Sequence, residues 1–308
     1  MGESQGCYRK STAGRAVAAL GAAVLLLIVS ACGVIAEQGA GQRPADGAST
    51  TAAAAPQSST APEVPAPSPE PTPGKGPACA AVRCTSVLVT GDMLVHAQLW
   101  DQARADAAAL GKPGLDFTPL LEGQRAYIGA SDLAICHQET PVADPEGPFS
   151  AYPSFNVPPQ IITASKDVGY QACTTASNHT IDQGTNGLIR TLDALDAAGL
   201  KHTGSYRTEA DSQGILILQT NAARIAVIEA AYGLNGQYPE QAWQVDMLDA
   251  PAMIAKAKKA RALGADIVLG VMHAGDEYAS APNAQQQDTA HALVDSGEFT
   301  MIYGHHTH

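Results

Sequence analysis

The chain has 308 residues, enough for one large domain or two ordinary ones. Its 18 Lys and Arg stand against 30 Asp and Glu, a formal charge of −12, which argues against binding a nucleic-acid backbone as the main task. Aromatic residues make up only 5%, so a core must be built from Val, Ile, Leu and Ala.

In chain order, Arg9, Lys10 and Arg15 form a positive region, and residues 16–28 are an apolar run too short to span a membrane comfortably. Val29-Ser30-Ala31-Cys32 then reads as a lipobox, small residues before a cysteine that takes lipid and becomes the new N-terminus. Residues 1–32 are therefore expected to be a lipoprotein signal peptide. Lipidation at Cys32 would hold the chain on the outer side of a bacterial cell membrane without spanning it. Residues 33–77 contain no aromatic residue, no Leu and no Cys, and Pro65, Pro67, Pro69, Pro71 and Pro73 alternate with other residues. Such a segment cannot bury enough apolar surface to offset its ordering entropy and is expected to be a disordered spacer.

The remaining segment, 78–308, is expected to be the folded domain. Of six cysteines, Cys7 leaves with the signal and Cys32 carries lipid. An even remainder in an exported chain predicts two disulfides, Cys79–Cys84 closing a small loop and Cys136–Cys173 bridging two strands. The alternative is that some of the four are free and buried or that one binds metal. No CxxC pair is present, which argues against a thiolate zinc site.

Strand-like apolar runs occur at 85–90, 133–137, 172–177, 214–219, 224–231, 266–273 and 299–303. Several are apolar throughout, as strands covered on both faces are. Helical spacing appears at 185–198, 250–263 and 283–294, followed by Gly199, Gly264 and Gly297 as stop signals. Strands alternating with helices predict an α/β fold with much parallel sheet.

Polar residues follow those strands repeatedly. Gly91-Asp92 follows the first, with His96 four residues on; Glu139 follows the second; Asn178 and His179 follow the third, with Asp182 behind them. His273 ends the sixth, followed by Asp276 and Glu277, and Gly304-His305-His306-Thr307-His308 ends the last. Ligands in open α/β sheets gather beyond the carboxyl ends of strands, so five segments deliver carboxylate, amide and imidazole groups to one edge. Mixed oxygen and nitrogen donors without thiolate suit Mn, Fe, Zn or Co. The donors exceed one tetrahedral shell, and two divalent ions sharing a carboxylate would use them all.

These motifs, Gly91-Asp92, Ser131-Asp132-Leu133-Ala134-Ile135 with Glu139-Thr140-Pro141, residues 175–199, His273 to Tyr278 and Gly304 to His308, resemble in order and spacing the CapA family of capsule and poly-γ-glutamate synthesis proteins, which is similar to the calcineurin-like metallophosphoesterases. The resemblance implies a four-layer α/β/β/α sandwich, with the chain ending before the family's last strands, so that a C-terminally truncated domain is expected. It implies two divalent ions (Mn, Fe or Zn) held by Asp92, Glu139, Asn178, His273, His306 and His308, with Glu139 as bridge and His179 as general acid or transition-state stabiliser. His96, His305 and Glu277 are weaker metal or substrate candidates; for His96 the reason is that the phosphoesterases carry Asp-x-His where Asp92 and His96 stand four apart. The implied function is hydrolysis of a phosphoester or amide bond in an anionic envelope polymer. A non-catalytic accessory role in polymer export or anchoring, and a truncated inactive homologue, are the alternatives.

Overall fold

The computed structural model describes residues 83–308. The signal segment 1–32, Cys32, the spacer 33–77 and Cys79 lie outside the described residues. Cys84 is disulfide-bonded.

Among the described residues, eight strands form two four-stranded sheets. The first comprises β1 (Val87–Asp92), β2 (Leu133–His137), β3 (Ala172–Thr174) and β4 (Lys201–Thr203), all parallel and in sequence order. In the second, β5 (Leu216–Gln219) pairs antiparallel with β6 (Arg224–Ala231), and β7 (Ile267–His273) and β8 (Met301–His305) add in parallel. The helices are α1 (Ala97–Ala109), α2 (Thr118–Leu121), α3 (Arg125–Gly129), α4 (Gln160–Val168), α5 (Gly184–Ala197), α6 (Glu209–Ser212), α7 (Ala250–Ala262) and α8 (Ala284–Asp295).

Side-chain alternation builds the layers, because successive strand residues face opposite sides. Ala134, Cys136 and Cys173 face outward onto Ile161, Ile162 and Val168 of α4 and Leu188, Leu192 and Leu195 of α5. Leu133, Ile135 and Ala172 face inward and meet Ile225, Val227, Leu269 and Val271 of the second sheet. Ala226, Ile228, Ala230 and Val268 face the other way, onto Met253 and Ala257 of α7 and Leu293 of α8. The result is the expected α/β/β/α sandwich. Its strands are covered on both faces, which is why they read as continuous apolar runs.

Two helices and one strand carry no clear signal in the sequence. The buried residues of α1 are Ala103 and Ala107, too small to mark an apolar stripe. In α4, Pro158 and Pro159 immediately precede the first turn and disguise it as a loop. The three residues of β4 show no alternation and are held by register with β3.

Cys136 and Cys173 sit directly opposite one another on β2 and β3 and are bonded, closing a loop with a sequence separation of 37. Replacing both with Ala is expected to lower the unfolding free energy by about 2–4 kcal/mol. A urea titration would measure this, and an unchanged midpoint under matched redox conditions would refute it.

Candidate metal centre

The apolar layer between the sheets turns polar at the carboxyl ends of the strands. His137, Thr174, Glu229, His273 and His305 continue the inward-facing alternation of Ile135, Ala172, Val227, Val271 and Tyr303. Asp92 joins them through a bulge. Val89 pairs with Ile135 and Asp92 with His137, so β1 spends one residue more than β2 over that interval. The extra residue reverses the parity of β1 and aims a carboxylate into the inter-sheet space that would otherwise face α1.

The candidate residues converge here. The backbone N–H of His306 donates to Asp92 Oδ2 at 3.0 Å, and His308 Nε2 lies 3.7 Å from the same oxygen. His273 Nε2 is 2.8 Å from Asn178 Oδ1 and 4.0 Å from Glu139 Oε1. Because an amide oxygen only accepts, His273 donates through Nε2 and keeps its lone pair on Nδ1. His179 Nδ1 is 2.7 Å from Asp182 Oδ2, which also accepts from the Phe155 backbone N–H at 2.8 Å, leaving Nε2 for the cleft.

Three candidates sit at the margin. His96 packs edge-on against Phe155 at 5.2 Å, and Phe155 packs against His179 at 4.8 Å; His96 lines the same cleft as Asp92, His306 and His308 but joins none of the groups whose ligand atoms lie within 4.8 Å of one another. His305 Nδ1 approaches Asp92 Oδ1 at 3.0 Å off the hydrogen-bond axis, and its ring stacks on His137 at 4.3 Å. Glu277 is exposed and reaches the site as negative charge, acting on Glu139 and His306.

The donor set fits a divalent cation. Buried Asp92 Oδ1, Glu139 Oε2, His137 Nε2, His273 Nδ1 and His306 Nδ1 all lack a hydrogen-bond partner. Buried polar atoms are nearly always paired, and five unpaired groups at one spot are what a cation satisfies. Three overlapping sets, Asp92 with His137 and His273, Glu139 with His273 and His306, and Asp92 with Glu139 and His308, each bring their ligand atoms within 4.8 Å of one another.

The protonation states agree. Burial first, then Asp92, Glu277 and Asp182, push the Glu139 carboxyl up to about 9. Burial opposes ionisation of Asp92 too, but the His305 ring, the His137 ring and the His306 N–H hold it well below the usual carboxylate range. Burial lowers His137, His273 and His306, so all three present neutral, ligand-competent imidazoles.

The backbone is bent to reach this geometry. Among the described residues, the non-glycine positions with positive φ are Asn235 (50°), Tyr278 (61°), His306 (93°) and His308 (56°), all at this site. Gly275 has φ +132°, and a Cβ there would collide with the Thr307 side chain between the two histidines. The flanking cleft of about 490 Å³ is lined by Asp92, His96, His306 and His308. A larger cavity of about 700 Å³, near Asp132 and Asp266, lies at the opposite, amino-terminal edge and gathers no comparable donors.

Sequence reading missed His137, Glu229 and Asn235. His137 stands two residues before Glu139 on the same parity, a signal available in hindsight. Asn235, whose Oδ1 accepts from Asn178 Nδ2 at 3.2 Å, comes from a loop with no pattern. Asp182 shows itself by its spacing of three from His179.

A structural likeness extends to the calcineurin-like phosphoesterase YfkN of Bacillus subtilis, with TM-score 0.45 and 18% identity over 72% of this chain and 71% of that one. The capsule biosynthesis protein CapA of Bacillus anthracis is 30% identical over 156 residues, 48% of this chain and 37% of its own length. A probable polyglutamine synthesis accessory protein of Mycobacterium tuberculosis is 25% identical over 195 residues, 58% of this chain and 50% of that protein. The chain thus spans half or less of the length of these curated relatives. The model of the bacterial capsule synthesis protein family PGA_cap matches residues 86–308, nearly all of the described fold and every candidate ligand, and the chain belongs to that family.

Proposed function

We propose that the chain is an exported, lipid-anchored, divalent-metal-dependent hydrolase. Its substrate would be a phosphoester or amide bond in an anionic envelope polymer of the poly-γ-glutamate type. The observation that carries this is the convergence of unpartnered buried acceptors beside a histidine whose ring is fixed by a carboxylate. Asp92, Glu139, Asn178, His273, His306 and His308 would hold two ions. Bound there, such ions polarise the scissile group and make water acidic enough to attack at neutral pH. Asp182 accepts from His179 Nδ1–H and holds the ring, so that Nε2 of the doubly protonated ring can deliver a proton to the departing oxygen or nitrogen. The formal charge of −12 is offset locally by the ions, which is how an acidic chain would accept a polyanion.

Metal analysis of the purified chain tests the proposal. Two equivalents of Mn, Fe or Zn are expected, with loss of at least one in Asp92→Asn and in His273→Ala. No bound ion under any loading condition would sink it.

A second reading is favoured by one observation, the name of the mycobacterial relative as an accessory protein. In that case the domain binds polymer without turning it over. Incubation with polyglutamate and with a generic phosphodiester, each with Mn, separates the two: binding without turnover, unaffected by His179→Ala, supports the accessory role.

A further inference from the structure

We infer that His137 is a direct ligand of the ion on the Asp92 side of this centre, and that Glu229 is the carboxylate that fixes its ring. The inference rests on the metal-centre reading above and extends it to two residues outside that ligand set. His137 ends β2 fully buried, directly across from Asp92 in the parallel register. Its Nδ1 is hydrogen-bonded to Thr174 Oγ1 at 2.9 Å, and Glu229 Oε1 lies 3.0 Å from it, off the hydrogen-bond axis. The Thr174 hydroxyl has its own acceptor in the Cys136 carbonyl at 3.5 Å and so can accept from Nδ1, and Glu229, once ionised beside a bound cation, only accepts, so Nδ1 carries the ring proton in the metal-bound site.

Nε2 is then a bare lone pair. It is buried and unpartnered, 4.0 Å from Asp92 Oδ1, which is unpartnered as well. That spacing is too long for a hydrogen bond, and neither atom has a hydrogen to share. Two acceptors facing each other in a dry layer repel unless a cation lies between them. Atoms bound to one ion at ~2.1 Å are roughly 3–4.2 Å apart, so the spacing is that of two ligands. Asp92, His137 and His273 together form one of the sets whose ligand atoms lie within 4.8 Å of one another.

Glu229 is built to hold the ring. Its Oε2 accepts the backbone N–H groups of Thr175 and Ala176, both at 2.6 Å, which leaves Oε1, itself without a hydrogen bond, 3.0 Å from His137 Nδ1. Gly204, at φ +106°, makes room for this carboxylate, which a Cβ there would strike. A carboxylate behind a histidine whose far nitrogen binds metal is a recurrent arrangement that orients the ring and raises its basicity. His96, the histidine that follows β1, has its ring on Phe155 instead. His137 thus supplies from β2 the imidazole that the first strand does not.

The test is NMR of the full chain labelled with 15N-histidine, titrated with Zn²⁺, with each ring assigned through its own backbone in the unaltered protein. His137 Nε2 is expected to move to the shift of metal-bound imidazole along with a ring nitrogen of His273 and of His306. In parallel, His137→Gln is expected to weaken one of two Zn²⁺ equivalents by 10-fold or more, and Glu229→Gln to weaken the same equivalent by about 10-fold. A His137 signal that stays still while His273 and His306 move overturns this inference and leaves the proposed function standing. So does unchanged Zn²⁺ affinity in a folded His137→Gln chain. No histidine moving at any Zn²⁺ concentration overturns both.

Discussion

His179→Ala is expected to lower turnover of a phosphodiester or polyglutamate substrate by about 10²–10⁴-fold while leaving bound metal unchanged. The split follows from position. His179 belongs to none of the sets whose ligand atoms converge, and its ring is held by Asp182 rather than by the buried acceptors. A proton donor removed from the transition state lowers kcat, whereas a lost ligand lowers metal content first. Asp182→Asn should cost less, because an amide oxygen can still accept from Nδ1 and keep the ring oriented. It would also weaken the bond to the Phe155 N–H and loosen the aromatic wall against His179. Metal analysis and kinetics on the same samples decide the matter. A His179→Ala chain that loses its metal, or retains full turnover, would refute the assignment.

Removing metal should make stability depend on alkaline pH. Without a cation, Glu139 titrates at about 9 and Glu229 at about 8, chiefly through burial, whereas both would titrate near 4.5 in an unfolded chain. A carboxyl raised in the fold keeps its proton there after the unfolded chain has released it. Its contribution is therefore full below about pH 4.5 and is lost as pH rises through the folded value. Between pH 7 and 9 each such proton costs about 1.4 kcal/mol per pH unit until it leaves the folded state. The metal-stripped chain should thus lose about 4 kcal/mol over that interval, read as a falling urea midpoint. The window avoids competing titrations. Burial lowers His137, His273 and His306, and the histidine cluster lowers Asp92, so none of these changes charge above pH 7. In the metal-loaded chain Glu139 is already ionised by its ligand role, and most of the slope should vanish. An equal slope with and without metal would mean that Glu139 is not a ligand.

Much of the site is legible because its residues come in short motifs at strand ends. Asp92, Glu139, Asn178 with His179, His273 and the final histidines each follow an apolar run, and parallel topology carries all such ends to one edge. The long helices α5, α7 and α8 are equally legible, since their Leu or Ala spacing and terminal glycines are local features. What escapes is whatever depends on a partner strand. His137 looks like the last residue of an apolar run, and Glu229 like a stray charge inside another. Each gains meaning only when the two sheets stack and place His137 Nδ1 3.0 Å from Glu229 Oε1.

The sequence by itself determined the alternating fold class, the order of the ligand-bearing segments and the family, because periodicity and motif spacing are properties of a single chain. The tertiary structure alone decided which face each ligand takes. The bulge that turns Asp92 inward is a mismatch between two strands, and it becomes visible only when Val89 is paired with Ile135 and Asp92 with His137. It alone also set His137 among the groups whose ligand atoms converge and the His96 ring against Phe155. Distance across a sheet follows from register, and register depends on how two buried faces fit.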